Sequence, residues 1–90
     1  EQLFASYNQA LGHPARRRII GILQQGGHCC FDDIMEKIPL ARSTVQIHLR
    51  TLKGVQLIKI AENDLKEVGY VLNTYAYEEA RLLALDFWQD

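Results

Sequence analysis

A change in hydrophobic period at Gly54 constrains the fold of this sequence more than any other feature. Before this glycine, apolar residues recur every three or four positions, which is the spacing of helices that bury one face. After it, between positions 57 and 72, apolar and polar residues alternate, which is typical of half-buried strands. The sequence therefore predicts a mainly α chain with one small β-hairpin: helices at about 3–11, 14–26, 31–38 and 41–54, strands at 57–61 and 68–72, and a last helix at 75–88.

The connections between the predicted helices narrow this architecture further. Pro14 suits the first turn of the second helix, where a missing N–H costs nothing, and Gly26 with Gly27 ends that helix. Pro39 leaves only a short connection between the third and fourth helices. Two short helices joined by such a turn make a helix-turn-helix unit, and the hairpin that follows makes a wing. We therefore expect a winged helix-turn-helix, with a further helix at each end, in one domain over residues 1–90.

Size and charge limit what such a chain can do. A domain of 90 residues buries only about 60–65% of its unfolded surface, so pairing with a second copy would stabilise it. The net charge is −1, so a nucleic-acid surface must be a local patch. No apolar run approaches the roughly 20 residues of a membrane span, and no basic-then-apolar leader begins the chain. We therefore expect a cytoplasmic protein without membrane contact.

The fourth predicted helix has the composition of a helix that reads DNA. On a helical wheel, Val45 and Leu49 share a buried side, and the opposite side carries hydroxyls, an amide, a cation and an isoleucine. Gln can pair with adenine, Arg with guanine or phosphate, and an apolar side chain can meet a thymine methyl group. The candidate base contacts are Arg42, Ser43, Gln46 and Ile47; the candidate phosphate contacts are Thr44 and Arg50 on this helix and Lys66 on the wing.

Two alternatives to DNA binding stay open at this point. In the first alternative, the outward face of the helix is simply a solvated surface. In the second, Ile47 packs on a partner protein, and the chain is a winged-helix protein-protein interaction module without DNA binding. An enzyme is not expected, because the sequence has no Gly-rich phosphate loop, zinc signature or supported Ser/His/Asp arrangement. We therefore assign no catalytic residue, no metal ligand and no cofactor.

The sequence resembles the ArsR group of metalloregulatory repressors in four places, which occur in the same order. They are residues 10–16, residues 40–45, residues 48–52, and the wing at 57–58 and 69–72. The resemblance implies a homodimer that pairs through its first and last helices, at about 2–12 and 75–89. It also implies that the dimer represses transcription by binding a double-stranded DNA operator with inverted repeats. An inducer or a redox change would release it.

The metal ligands of that group are not matched here. Its arsenic-sensing members carry Cys-x-Cys at the start of the third helix, where this chain has Cys30 followed by Asp32. Its zinc-sensing members use Asp and His pairs on the last helix, and residues 75–90 contain no histidine. Cys29 and Cys30 are adjacent and do not form a stapling disulfide, which suits a reducing compartment. Three roles stay open for the two cysteines. They are small hydrophobic side chains in the core, or they sense a redox change, or they form part of a metal site that a second subunit completes.

Three smaller predictions concern single positions. Ala41 stands where many members of the group have a capping serine, which forfeits about 1 kcal/mol of helix stability. His13 is expected to order the turn before the second helix, and His48 to form a hydrogen bond within the core. The three consecutive arginines at positions 16–18 either contact phosphate or are solvated.

Overall fold

The predicted order of helices and strands is found in the computed structural model, which describes the backbone of residues 2–89 and the side chains of residues 5–84. It is a mostly helical winged helix-turn-helix with a two-stranded antiparallel hairpin, so the predicted fold class is confirmed. The elements are α1 (Gln2–Leu11), α2 (Pro14–Gly26), α3 (Phe31–Glu36), α4 (Arg42–Gly54), β1 (Ile58–Glu62), β2 (Val68–Leu72) and α5 (Thr74–Gln89).

The core lies where α2, α3 and α4 meet the base of the hairpin. Its fully buried side chains are all aliphatic, and burying each of them contributes about 1.5–3 kcal/mol relative to leaving it in water. Helix α3 ends two residues earlier than the spacing predicted, but Ile38 beyond it is still buried in this core. The largest members are Ile19 and Leu23 of α2, Ile34 of α3, Val45 and Leu52 of α4, Leu57, and Ile58 of β1.

The hairpin extends beyond this core. Ile58 and Ile60 share one face of β1, as predicted, but Ile58 is buried and Ile60 is exposed because only the base of the hairpin reaches the helices. Strand β2 also pairs with the segment that precedes α3. The amide nitrogen of Cys29 lies 3.0 Å from the carbonyl oxygen of Tyr70, and the reverse bond is 2.8 Å long. The start of the helix-turn-helix unit is thereby fixed to the wing.

Helix α5 packs on α1 through small side chains. Ala76 and Ala80 are buried there, and their size lets the two helices approach closely. Beside them the Tyr7 hydroxyl donates to Oε1 of Glu79 at 3.1 Å. The apolar spacing of α5 also includes Tyr77, Leu83 and Ala84, which are half-buried, and Phe87, which, like Leu3 and Phe4 of α1, lies outside the described side chains.

Arg16 connects three helices. From α2 its Nε donates to Nδ1 of His48 on α4 at 3.2 Å, and its Nη1 donates to the carbonyl oxygens of Gln9 and Ala10 on α1, both at 3.2 Å. The prediction that His48 is hydrogen-bonded in the core is therefore confirmed, since only 7% of its surface is exposed.

The other residues of this region order the chain between α1 and α2. Nδ1 of His13 accepts from the amide nitrogen of Ala15 at 3.1 Å, which caps α2 as predicted. Arg17 donates to the carbonyl oxygen of Leu11 at 2.7 Å, and Arg18 donates to that of Lys37 at 3.2 Å. The prediction that the arginine run either contacts phosphate or is merely solvated was incomplete, because all three arginines bond to backbone carbonyls in neighbouring segments.

We expect the stability of this fold to depend on the protonation of His48. Burial lowers the pKa of His48, and the neighbouring His13 ring and Arg16 guanidinium lower it further. The unfolded chain, with a histidine pKa of about 6.5, then binds more protons than the folded chain, so stability is lost as pH falls from that value towards the folded-state pKa. Urea unfolding between about pH 7.5 and pH 5 should show this loss.

A His48→Asn variant is the matched test, because asparagine offers an acceptor that does not titrate in this range. The variant should lose less stability than the unchanged chain over the same pH interval. An equal loss in both proteins would show that other groups cause the pH dependence.

Candidate nucleic-acid interface

One face of α4 is free of the core over its whole length. Val45 and Leu52 are fully buried on the opposite side, which fixes the rotation of the helix about its own axis. Thr44, a predicted phosphate contact, is half-buried at the edge of the face, and Ile47 leaves 57% of its surface in solvent. The exposed positions of α4 that form this face are Arg42, Ser43, Gln46, Ile47, Arg50 and Lys53.

The first turn of α4 has no side-chain cap. Ala41 is the N-cap residue, and no side chain there accepts a hydrogen bond from the helix, as its methyl group predicts. Backbone N–H groups at the start of a helix attract anions because the helix dipole is positive at that end. The beginning of α4 can therefore receive a phosphate oxygen in place of a capping hydroxyl.

Arg42 is held at this helix start by residues of α3. Its guanidinium carbon lies 4.8 Å from the centre of the Phe31 ring, and its Nη1 lies 3.4 Å from Oδ1 of Asp32. The ion pair is largely exposed, so it contributes little to stability. The bond to Asp32 uses one of the five N–H donors of the guanidinium, so others remain for a base or a phosphate.

A groove separates α4 from the wing. It has a volume of about 260 Å³, and its sides are formed by Gln46, Arg50 and Lys53 of α4 and by Tyr70 of β2, with Leu49 between them. Two cations on one side of a narrow groove form the local positive patch that a chain of net charge −1 needs in order to bind a phosphate backbone.

Sequence reasoning missed Lys53 and Tyr70 as members of this groove. Lys53 falls about 80° from Val45 on a helical wheel, between the buried and the outward sides, so the pattern of α4 alone gives it no role. The alternation of Val68, Tyr70 and Leu72 puts them on one face of their strand but does not indicate what that face meets. The return of β2 alongside α4 brings the two residues into one groove, and this tertiary contact has no local sequence signal.

The tip of the wing is ordered by Asn63. Its Oδ1 accepts from the amide nitrogens of Leu65 at 3.0 Å and Glu67 at 2.9 Å, and its Nδ2 donates to Oε1 of Glu67 at 2.9 Å. Lys66, the predicted wing contact, is exposed and has a left-handed backbone with φ of 61°. Acidic residues at 62, 64 and 67 surround it, so its attraction for phosphate is weakened.

The two cysteines have different surroundings. Cys29 is buried, and burial raises the pKa of its thiol, with the Asp33 carboxylate acting in the same direction. Cys30 is half-buried at the N-cap of α3, where its amide nitrogen donates to Oδ2 of Asp33 at 3.3 Å. A raised pKa leaves less of the reactive thiolate, so Cys29 is the poorer candidate for redox sensing. Among the described residues, no three His, Cys, Asp or Glu side chains are grouped to hold a metal ion.

A family comparison now connects this surface with a function. The sequence model of the family described as "Bacterial regulatory protein, arsR family" matches residues 13–59, which is just over half of the chain and runs from the start of α2 into β1. The chain belongs to the arsR family. The resemblance seen in the sequence is thereby confirmed, and this arsR-family chain is a DNA-binding transcriptional regulator. No curated protein matches it.

Solved structures of other proteins share this fold. A protein described as a "possible transcriptional regulator for arsenical resistance" is 25% identical, with a TM-score of 0.80 over 94% of this chain and 86% of that one. An ArsR-like transcriptional regulator from Rhodococcus sp. RHA1 is 17% identical, with a TM-score of 0.82 over 98% and 81% of the two chains. BpsR of Bordetella bronchiseptica, whose DNA binding is regulated by 6-hydroxynicotinic acid, is 16% identical, with a TM-score of 0.67 over 98% and 67%.

Among residues 2–89, no helix combines the length and the apolar character that crossing a bilayer requires.

If Lys53 contacts a phosphate from the groove, its replacement should change the salt dependence of DNA binding. We expect Lys53→Gln to lower the slope of log affinity against log salt by about 1 for each subunit bound, because one fewer counterion is released. Fluorescence anisotropy with a labelled duplex over a range of salt concentrations measures this slope.

Lys37→Gln is the matched control. Lys37 is also an exposed lysine, but it follows α3, and its backbone is held by Arg18 of α2 rather than by the wing. Its replacement should leave the slope nearly unchanged. If the two variants lower the slope equally, Lys53 has no particular contact with the DNA backbone.

Proposed function

We propose that this chain is a homodimeric repressor that binds an inverted-repeat operator with the outward face of α4 and the adjoining wing. The observation that carries the proposal is the groove in which Arg50 and Lys53 of α4 lie beside Tyr70 of β2. A recognition helix that enters the major groove leaves such cations level with the phosphate backbone, while residues nearer its N-terminus reach the bases.

The contacts divide by position along α4. Arg42, Ser43, Gln46 and Ile47 are the proposed base contacts, because they are exposed in the N-terminal half of the helix. The proposed phosphate contacts are Thr44, Arg50 and Lys53 on α4 and Lys66 on the wing.

In the proposed dimer, the two copies pair through their helices at about 2–12 and 75–89. Each copy is a single domain over residues 1–90, and these helices lie at its two ends. Helix α5 exposes 82% of Tyr75 and 49% of Leu82, and both line a groove of about 350 Å³ together with Glu78, Glu79 and Leu83. Large apolar side chains exposed together on one helix are suited to a self-complementary contact. A two-fold dimer also explains an operator with inverted repeats, because each copy presents one α4 to one half-site.

Release from the operator, in the cytoplasm, would follow binding of an inducer or a redox change. Of the two cysteines, Cys30 is the stronger candidate for a redox signal, because it is partly accessible and lies at the positive end of a helix. Cys29 would contribute mainly by packing against the wing.

Gln46 is proposed to read a base rather than the backbone. Gln46→Ala should therefore reduce the discrimination between operator variants by about 1–3 kcal/mol at one base pair, with a smaller loss of affinity for random DNA. Competition binding with single-base operator variants measures the two quantities separately. Gln25→Ala, an exposed glutamine of α2, should change neither quantity. Equal losses on operator and random DNA would assign Gln46 to the backbone.

Leu82 is proposed to lie in the dimer interface. Leu82→Glu should weaken dimerisation by at least about tenfold, because each copy would place a carboxylate in an apolar contact. Sedimentation equilibrium measures the dissociation constant. Leu65→Glu, which alters an exposed leucine at the wing tip, is the control and should dimerise normally. A monomeric unchanged chain, or equal dimerisation of all three proteins, would contradict this interface.

A further inference from the structure

A large cavity, which shares no lining residue with the groove beside α4, borders β2. It is bounded by the end of α2, the turn at Gly27 and His28, strand β2 and the first two turns of α5, and its volume is about 770 Å³. Sites for small molecules commonly have volumes of about 300–1,000 Å³. The cavity is therefore large enough for a small organic molecule, and the DNA-binding surface does not use it.

The inner wall of the cavity is apolar and its rim is polar. Leu23 is buried in the core at its base, and Val71 and Leu72 of β2 are half-buried along its side. Gln24 and Thr74 are exposed at its edge. Binding sites for small molecules combine an apolar wall with a few polar groups in this way, since the wall contributes affinity and the polar groups fix the orientation.

Two charged side chains of α5, Glu78 and Arg81, line the rim of the cavity, and the guanidinium is the group that can receive an acidic ligand. Arg81 forms a two-bond pair with Glu78, with 3.3 Å between Nε and Oε1 and a second bond from Nη2 to Oε2. This pair uses two of the five N–H donors of the guanidinium, and half of each side chain is exposed. The first residue of α5, Thr74, also lines the cavity, together with Tyr77 on the next turn.

His28 contributes one hydrogen-bond acceptor. Its Nε2 lies 2.9 Å from the carbonyl oxygen of Ala61, and because a carbonyl only accepts, Nε2 is the donor of that bond. In the neutral ring Nδ1 is then an acceptor, which suits a hydroxyl or N–H group of a ligand.

We propose that this cavity binds a small organic acid with an apolar body, its carboxylate displacing Glu78 from Arg81 and its body packing on Leu23, Val71 and Leu72. The role of this acid as the effector that releases DNA rests on the proposed repressor function. The binding site itself does not.

Strand β2 connects the cavity with the DNA-binding surface. Val71 and Leu72 line the cavity, and the preceding residue, Tyr70, lines the groove beside Arg50 and Lys53. The His28 ring also lies against β2 so closely that a Cβ added at Gly69 would be 2.6 Å from it. A ligand that displaces this strand or the His28 ring therefore moves the wing relative to α4 and weakens DNA binding.

Calorimetric titration of the DNA-free protein with naphthalene carboxylate tests the site. The acid should bind, and its uncharged primary amide should bind at least about tenfold more weakly, because a charge-assisted bond to Arg81 is lost. Arg81→Gln should weaken binding of the acid by a similar factor. Glu78→Gln should strengthen binding of the acid, because the competing carboxylate is removed. If the ion pair were only structural, the two substitutions would not change acid binding in opposite directions.

A matched pair of variants locates the probe. Gln24→Trp fills the cavity from its rim and should abolish binding, while Gln25→Trp, on the same turn of α2 but outside the cavity, should not. Absence of binding at millimolar acid, equal binding of acid and amide, or unchanged binding by Gln24→Trp would each overturn the site.

The effector role is tested separately, by measuring operator binding in the presence and absence of the same acid. Saturating acid should lower operator affinity in the unchanged chain and leave it unaltered in Gln24→Trp. Acid binding without a change in operator affinity would overturn the effector role alone. Failure to bind any duplex in the absence of acid would contradict the proposed repressor function and leave the calorimetric test of the site intact.

Discussion

The hydrogen bonds of Arg16 determine how the recognition helix is presented. Its guanidinium bonds to His48 on α4 and to two carbonyl oxygens at the end of α1, so one side chain of α2 fixes the positions of two other helices. Bonds from a charged donor are among the stronger ones in a protein, and a buried acceptor left without its donor would be costly. The face of α4 that carries Gln46 and Arg50 is therefore fixed relative to α1, and α1 packs on α5.

This arrangement connects the reading of DNA with dimerisation. The spacing between the two α4 helices of a dimer depends on how each α4 is joined to the helices that pair. Here the path from α4 through Arg16 to α1, and through Tyr7 and Glu79 to α5, consists of direct contacts. The proposed interface and the recognition helix are thus joined by a continuous series of hydrogen bonds and packed helices.

Much of the fold follows from local sequence, and the rest depends on tertiary contacts. The period change at Gly54 and the helix ends at Pro14 and Gly26 predict the order of elements, because they reflect backbone geometry and burial. The buried side of α4 also follows from its spacing. The inclusion of Lys53 in the groove and the bonds of Arg16 are not predictable in this way, because each depends on a segment distant in sequence that approaches in the folded chain.

The negative net charge of the chain weakens its overall attraction to DNA. The chain has a net charge of −1, and its wing tip carries three acids around Lys66, so attraction to DNA rests on a few cations of α4. Two copies bound to one operator would double these contacts and the base contacts with them. We therefore propose that one dimer presents two α4 helices to one operator, and that affinity and specificity depend on both.

Hydroxyl-radical footprinting on a duplex recovered by selection from random sequences tests this claim most directly. We expect two protected half-sites of inverted sequence, with their centres about 10 base pairs apart or a multiple of that distance, on one face of the duplex. Protection of a single half-site, or protection with no preferred sequence, would contradict it.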